Sequence, residues 1–163
     1  SMMSEHLKPI QKTTQKLSPN RTVLARFDIQ TEADLHIAVL HVQRHERLAE
    51  AFGATGVAML ATVASELGRN ILKYGDAKGY LLVTWIEGSP QTAPGLEIKA
   101  IDYGPGFADK EQALTDHYST SGTLGLGLPG VARIMDALTI DSEQGSGSVV
   151  TSTMWIQRRD KKH

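Results

Sequence analysis

Cysteine is absent from the 163 residues, which removes disulfides, thiolate chemistry and Cys-ligated zinc from consideration and fits a reducing compartment. Charge of one sign is missing too: 17 Lys+Arg against 18 Asp+Glu leave a net charge of -1 and a pI of about 6.6. Bulk nucleic-acid binding would therefore need a local basic patch, and none is expected to act as one. Lys8, Lys12 and Lys16 in front and Arg158, Arg159, Lys161 and Lys162 behind read as solubilising charge on frayed ends. No run of about eighteen apolar residues occurs, and residues 1–20 are polar and punctuated by Pro9 and Pro19. No membrane span or signal peptide is expected, and a cytoplasmic protein is. Internal repeats and dividing linkers are also lacking, and the length suits one domain with a real core. That domain is expected over residues 20–158, between a flexible N-terminal segment at 1–19 and a tail at 159–163.

What is present is a series of amphipathic segments separated by glycine. VLARFDI (23–29) reads as a first strand. Thr31 is placed to cap a helix with Asp34 in its first turn, and apolar positions from Leu35 keep a helical rhythm to about Ala51. His36, His41 and His45 on that helix invite a metal reading, but no acidic or cysteine ligand stands near His41 and His45, so they are read as surface or rim residues. Phe52-Gly53 ends this helix, and a second is expected from about Val57 to Tyr74, with Met59, Leu60, Val63, Leu67 and Ile71 as its core face. GYLLVTWIEG (79–88) and GLEIKAID (95–102) read as one hairpin, LTIDS (138–142) and SVVTSTMWIQ (148–157) as another. Between them glycine recurs at 104, 106, 122, 125, 127 and 130, the composition of a functional lid with a short helix near 109–115. Pro129 falls at the start of a further helix through residues 131–137.

Three segments carry the chemistry. In SELGRNILKYG (65–75), Glu66, Asn70 and either Lys73 or Tyr74 share one helical stripe. An Asn inside a helix is unfavourable unless its side chain has something to bind. In DYGPG (102–106), Asp102 ends a strand and enters a turn where Gly104 and Gly106 let backbone approach a flat ligand, leaving the carboxylate to accept from an amino group such as that of adenine. GLGLPG (125–130) precedes a helix and offers N–H groups to phosphates. Asn70 then supplies an oxygen to Mg2+, and Glu66, one turn away, is the candidate to deprotonate a nucleophile at the γ-phosphate. Taken singly, each has a plainer reading: an Asx turn at Asp102, a solvated helix face at Glu66 and Asn70, a surface charge or a phosphate contact at Lys73. Their order along one chain favours the joint reading.

These motifs, quoted as SELGRNILKY, DYGPGF, ALTDHYSTSGTLGLGLPGVARIMD and GSVVTSTMW, resemble the ATP-binding superfamily shared by gyrase, Hsp90, sensor histidine kinases and MutL-type proteins (GHKL). Within it, they are most similar to the small serine/threonine kinases of bacterial partner-switching modules, of the stressosome switch type, over nearly all of residues 20–157. The resemblance implies a two-layer α/β sandwich of the Bergerat type, with a mixed, mostly antiparallel sheet covered by helices on one face. It implies ATP and Mg2+ as cofactors, Glu66 as catalytic base and Asn70 as metal ligand. The implied ATP-binding set is Asn70, Lys73, Tyr74, Asp102, Gly104, Gly106, the lid residues Gly122, Thr123, Leu124, Gly125, Leu126, Gly127 and Leu128, and Thr151 on the adenine side. Implied partners are STAS-domain substrate or scaffold proteins and the N-terminal domain of a PP2C-like phosphatase. The alternatives are an anti-sigma factor of the same fold, which sequesters a sigma factor and phosphorylates its STAS antagonist, and a nucleotide-binding subunit without transfer activity. The short lid and the lack of a second domain in this sequence speak against a mechanical ATPase.

Overall fold

In a computed structural model of the chain, residues 15–18, 20–106, 113–114, 127–142 and 145–157 are described. The elements in order are β1 (Gln15–Ser18), β2 (Arg21–Asp28), α1 (Glu32–Arg44), α2 (Glu46–Tyr74), β3 (Gly79–Ile86), β4 (Gly95–Asp102), α3 (Gly127–Ile134), β5 (Ala137–Ser142) and β6 (Ser148–Trp155). They build a six-stranded sheet in the order β1-β2-β3-β4-β6-β5. Every pairing is antiparallel, so the sheet is not mixed as the resemblance implied. Both expected hairpins form, and β4 and β6 lie side by side, which brings Asp102 opposite Ser148. β1 falls inside the segment expected to be flexible, and its backbone pairs with β2. The short helix expected near 109–115 lies outside the described residues except for 113–114, where Ala113 is buried.

Local chemistry explains where the helices start and stop. Thr31 caps α1 as expected: its hydroxyl accepts from the Asp34 amide at 3.1 Å, and the Asp34 carboxylate accepts from the Thr31 amide at 3.1 Å. α1 ends at Arg44 rather than near Ala51, because His45 is extended (φ -76, ψ 116) and serves as C-cap to α1 and N-cap to α2. The break expected at Phe52-Gly53 is present as Gly53, with φ 70, inside α2. Beyond it Leu60, Val63, Leu67 and Ile71 recur at helical spacing and are all at most 1% exposed. They meet Leu81, Val83, Leu96, Ile98 and Val150 of the sheet in one core. Met59 leaves that stripe and is 42% exposed, against the expectation that it joins the core. α2 packs on β3 and β4, α1 on β2 and α2, and α3 on α2.

By length and composition α2 also qualifies as a membrane-crossing helix, with an 18-residue window of mean hydropathy 1.4. Its apolar stripe is used against the sheet, however, and a carboxylate, Glu66, is buried within it. Those are the properties of a domain's core helix.

On the outer face of the sheet Arg21 pairs with the buried Glu97 at 2.7 Å, with Lys99 at 3.6 Å from the same carboxylate. The rings of His41 and His45 are 5.3 Å apart, and His41 also meets Phe27 edge-on at 5.0 Å. Burial lowers both histidine pKa values, with His45 adding to the effect on His41 and Arg47 to that on His45. The described residues contain no group of three or more His, Cys, Asp or Glu placed to hold a metal.

Two tests follow from this packing. Replacing Leu67, fully buried under the sheet, by Ala is expected to lower unfolding free energy by about 3 kcal/mol in a urea titration. Because the folded state disfavours protonation of His41 and His45, the unfolded state takes up more protons below the ordinary value of 6.5. Their neutral forms thus contribute stability above pH 6.5 that is lost as pH falls. The urea midpoint should drop between pH 7.5 and 5.5, and drop less in His41→Gln.

Candidate functional site

The candidate residues fall along a strip between α2 and the sheet, from the end of β4 to the head of α3. At one end is Asp102, the last residue of β4. Its Oδ1 accepts from the Gly104 amide at 3.0 Å, and its Oδ2 accepts from the Ser148 hydroxyl. The turn is packed too closely for side chains. A Cβ on Gly104 would stand 2.6 Å from the Gly75 Cα and 2.8 Å from the Tyr74 carbonyl oxygen, and one on Gly147 would stand 2.3 Å from the Asp102 carbonyl oxygen. The Tyr103 amide donates to the Lys78 carbonyl at 2.9 Å, and the Gly145 amide to the Pro105 carbonyl at 2.5 Å, tying the turn to both neighbours. Gly106 follows with φ 75, a left-handed conformation suited to glycine.

At the other end the Glu66 carboxylate, 7% exposed, accepts from the Gly127 amide at 3.0 Å. Gly127 has φ 63 and opens α3; Leu128 beside it is buried, and Pro129 brings no N–H. Asn70 is half-buried on α2 one turn beyond Glu66, Tyr74 is half-buried and Lys73 exposed, its ammonium 5.9 Å from the Tyr74 ring. From Glu66 to Gly75, which lies against Asp102, α2 advances about 14 Å at the usual rise.

The structure thus joins Asp102, Gly104 and Gly106 at one end and Glu66, Gly127 and Leu128 at the other, with Asn70, Lys73 and Tyr74 on the helix between. Gly122, Thr123, Leu124, Gly125 and Leu126 lie outside the described residues. Thr151 is not at the strip. Asp102 pairs with Ser148, whereas Thr151 pairs with Lys99. Alternation along β6 puts Ser148 on the helix-covered face with Val150, and Thr151 on the outer face. The side chain beside Asp102 on this strand is therefore Ser148 and not Thr151, a placement not expected from the sequence. A signal for it existed in Gly147-Ser148 opening the last strand, but only the β4–β6 register puts that serine opposite Asp102.

Tyr103 also turns away from the strip. It lies with Tyr80, Arg26 and Asp28, and burial, reinforced by Tyr80, pushes its hydroxyl up to about 12. Two clefts sit apart from the candidate residues. One, about 740 Å³, is lined by His41, Arg44 and His45; the other, about 700 Å³, runs beside Gly53, Met59 and Trp155. Neither contains a residue of the three motifs.

A carboxylate fixed at the rim of a glycine turn, an amide-bearing helix and a glycine-headed helix are groups that could serve a nucleotide. Residues 56–158 match the family of histidine kinase-, DNA gyrase B-, and HSP90-like ATPases, and the chain belongs to that family. It is 36% identical over 129 residues, 79% of this chain and 94% of the relative, to the serine/threonine-protein kinase RsbT of Bacillus subtilis (strain 168). The relation places the chain in the class of serine/threonine-protein kinases built on an ATP-using domain.

Removing the Ser148 hydroxyl leaves Asp102 Oδ2 without this partner. Ser148→Ala is expected to weaken binding of a non-hydrolysable ATP analogue roughly tenfold by calorimetric titration. Ser148→Thr should retain affinity, and Thr151→Ala should leave it unchanged.

Proposed function

We propose that the protein is an ATP- and Mg2+-dependent serine/threonine kinase of a bacterial partner-switching module. It transfers the γ-phosphate to a Ser or Thr of a STAS-domain protein and, once released from that partner, activates a PP2C-like phosphatase through the phosphatase's N-terminal domain. It acts in the cytoplasm. The observation that carries this reading is the pairing of a buried acid, Glu66, with Asn70 one turn away and with the head of α3 at 3.0 Å. The anti-sigma reading draws on the same strip, but the similarity to the serine/threonine-protein kinase RsbT over 94% of that relative supports the first.

The residues suit the two cofactors. Asn70 carries a half-buried amide whose oxygen is the hard donor that Mg2+ prefers. Bound there, the ion supplies charge neutralisation to the phosphates. Asp102 is already held at both oxygens by Gly104 and Ser148; lone pairs left over on the same oxygens accept from the adenine amino group. Gly104 and Gly106 would admit the ring, and the exposed Lys73 and the amide of Leu128 would serve the phosphate oxygens, with the Gly127 amide held by Glu66 in this structure. Glu66 takes the proton of the acceptor hydroxyl as its oxygen bonds to Pγ. The bond from Pγ to the β–γ bridging oxygen breaks in the same displacement, and ADP leaves with that electron pair.

The direct test is transfer of label from γ-labelled ATP with Mg2+ to a purified STAS protein encoded beside this chain's gene. Wild type should label it. Asn70→Ala should lose Mg2+-dependent nucleotide binding and transfer together. Glu66→Ala should keep more of the binding while transfer falls by roughly 10²–10⁴-fold. Normal binding and labelling by both variants would refute the site assignment. A sigma-factor pull-down with wild type separates the anti-sigma reading.

A further inference from the structure

The bond between Glu66 and Gly127 joins residues 61 apart in sequence and is buried. It places an anion at the head of α3, where the partial positive charge of an eight-residue helix and its first free amides converge. A phosphate brought to the same helix head meets two obstacles. Gly127 has one amide hydrogen, which the carboxylate already holds at 3.0 Å. The carboxylate also carries negative charge, in a place shielded from water, Glu66 itself being 7% exposed. Like charges in such surroundings repel more strongly than in solution. Proline at 129 removes the next amide but one, so among the described residues of the first turn only Leu128 and Gly130 offer further amides.

We propose that Glu66 acts as an exchangeable latch on the head of α3 as well as a base. The terminal phosphate of a nucleoside triphosphate takes the Gly127 N–H from the carboxylate, and Glu66 so released is the form that accepts a proton. Proton acceptance is thereby tied to the presence of a terminal phosphate. While bound to Gly127, the carboxylate has a lone pair committed to that N–H, and release makes this lone pair available to the acceptor hydroxyl. This inference rests on the kinase reading and specifies how one residue of that site is controlled.

The experiment compares wild type, Glu66→Gln and Glu66→Ala, each with Mg2+ and either ADP or a non-hydrolysable ATP analogue. Calorimetry gives affinity, and amide hydrogen exchange gives protection at Gly127. Glu66→Gln keeps the size and an acceptor oxygen while removing the charge. It should bind the triphosphate analogue on the order of tenfold more tightly than wild type, and ADP with little change. Glu66→Ala should lose protection at Gly127 without nucleotide and regain it with the triphosphate analogue, whereas wild type stays protected throughout. The Ala variant keeps the test informative should the Gln side chain repack. Equal affinities in all three proteins, or an Ala variant in which the analogue binds without restoring protection at Gly127, would overturn the latch and leave the kinase reading standing. Failure of all three to bind either nucleotide would instead bring down the kinase reading, and the exchange with it.

Discussion

The architecture of the site depends on how closely three pieces of backbone approach one another around Asp102. The end of α2, the turn after β4 and the start of β6 converge there, and glycine at 75, 104 and 147 is what lets them. A Cβ on Gly75 would stand 2.7 Å from the Asp102 Cβ, and those on Gly104 and Gly147 would run into backbone at 2.6 and 2.3 Å. Backbone cannot retreat as a side chain can, so substitution at 104 or 147 moves a whole element. The convergence sets the position of α2 along the sheet. Because a helix is a rigid ruler, setting Gly75 against Asp102 also sets where Asn70 and Glu66 stand, and Glu66 then meets the first amide of α3.

Two kinds of support act along that ruler. Apolar burial holds α2 to the sheet through Leu60, Val63, Leu67 and Ile71, and each such side chain contributes about 2 kcal/mol of transfer free energy. Glu66 lies on the same helix and is almost as buried, so its charge has to be compensated or it would cost several kcal/mol. The Gly127 amide at the head of a helix is one such compensation, combining a hydrogen bond with the positive end of the macrodipole. The start of α3 thus helps the fold tolerate an acid at this position, and the glycine at 127 with φ 63 suits the left-handed conformation with which α3 begins.

Much of this was legible in the sequence, for reasons that differ by element. Spacing of 3 and 4 among Leu60, Val63, Leu67 and Ile71 announces the buried face of α2, and Thr31 with Asp34 announces the start of α1, because helical periodicity and capping are local. The two hairpins are likewise local. What escaped depends on partners distant in sequence. Met59 is apolar but one step off the stripe, and its exposure follows from the helix's exact rotation on the sheet. The helix stop at His45 carries no glycine or proline to mark it. β1 is short and exists by pairing with β2, and the uniformly antiparallel sheet follows from the adjacency of β4 and β6, which no hairpin reveals. Thr151 shows the same difficulty at the site itself: a shift of one residue along a strand exchanges faces, so choosing between Ser148 and Thr151 requires the register against Asp102. The motifs at Glu66, Asn70 and Asp102 were readable because each lies in a short segment whose composition is unusual for its element.

The two ends of the strip are built from different physics, and the difference suits their tasks. Around Asp102, position is set by steric contact among backbone atoms and by bonds to both carboxylate oxygens. Such a cluster has one arrangement, the property that recognition of a base by geometry would require. At Glu66 a charge-assisted bond to a backbone amide is among the contacts that hold the carboxylate, and the same donor can satisfy another anion at small net cost. A site with both ends rigid would bind nucleotide without responding to it; one with both ends exchangeable would lose selectivity. On the kinase reading proposed above, the Asp102 end, locked by glycine packing, would recognise the base before the Glu66 end, held by an electrostatic contact open to substitution, rearranges around the phosphates.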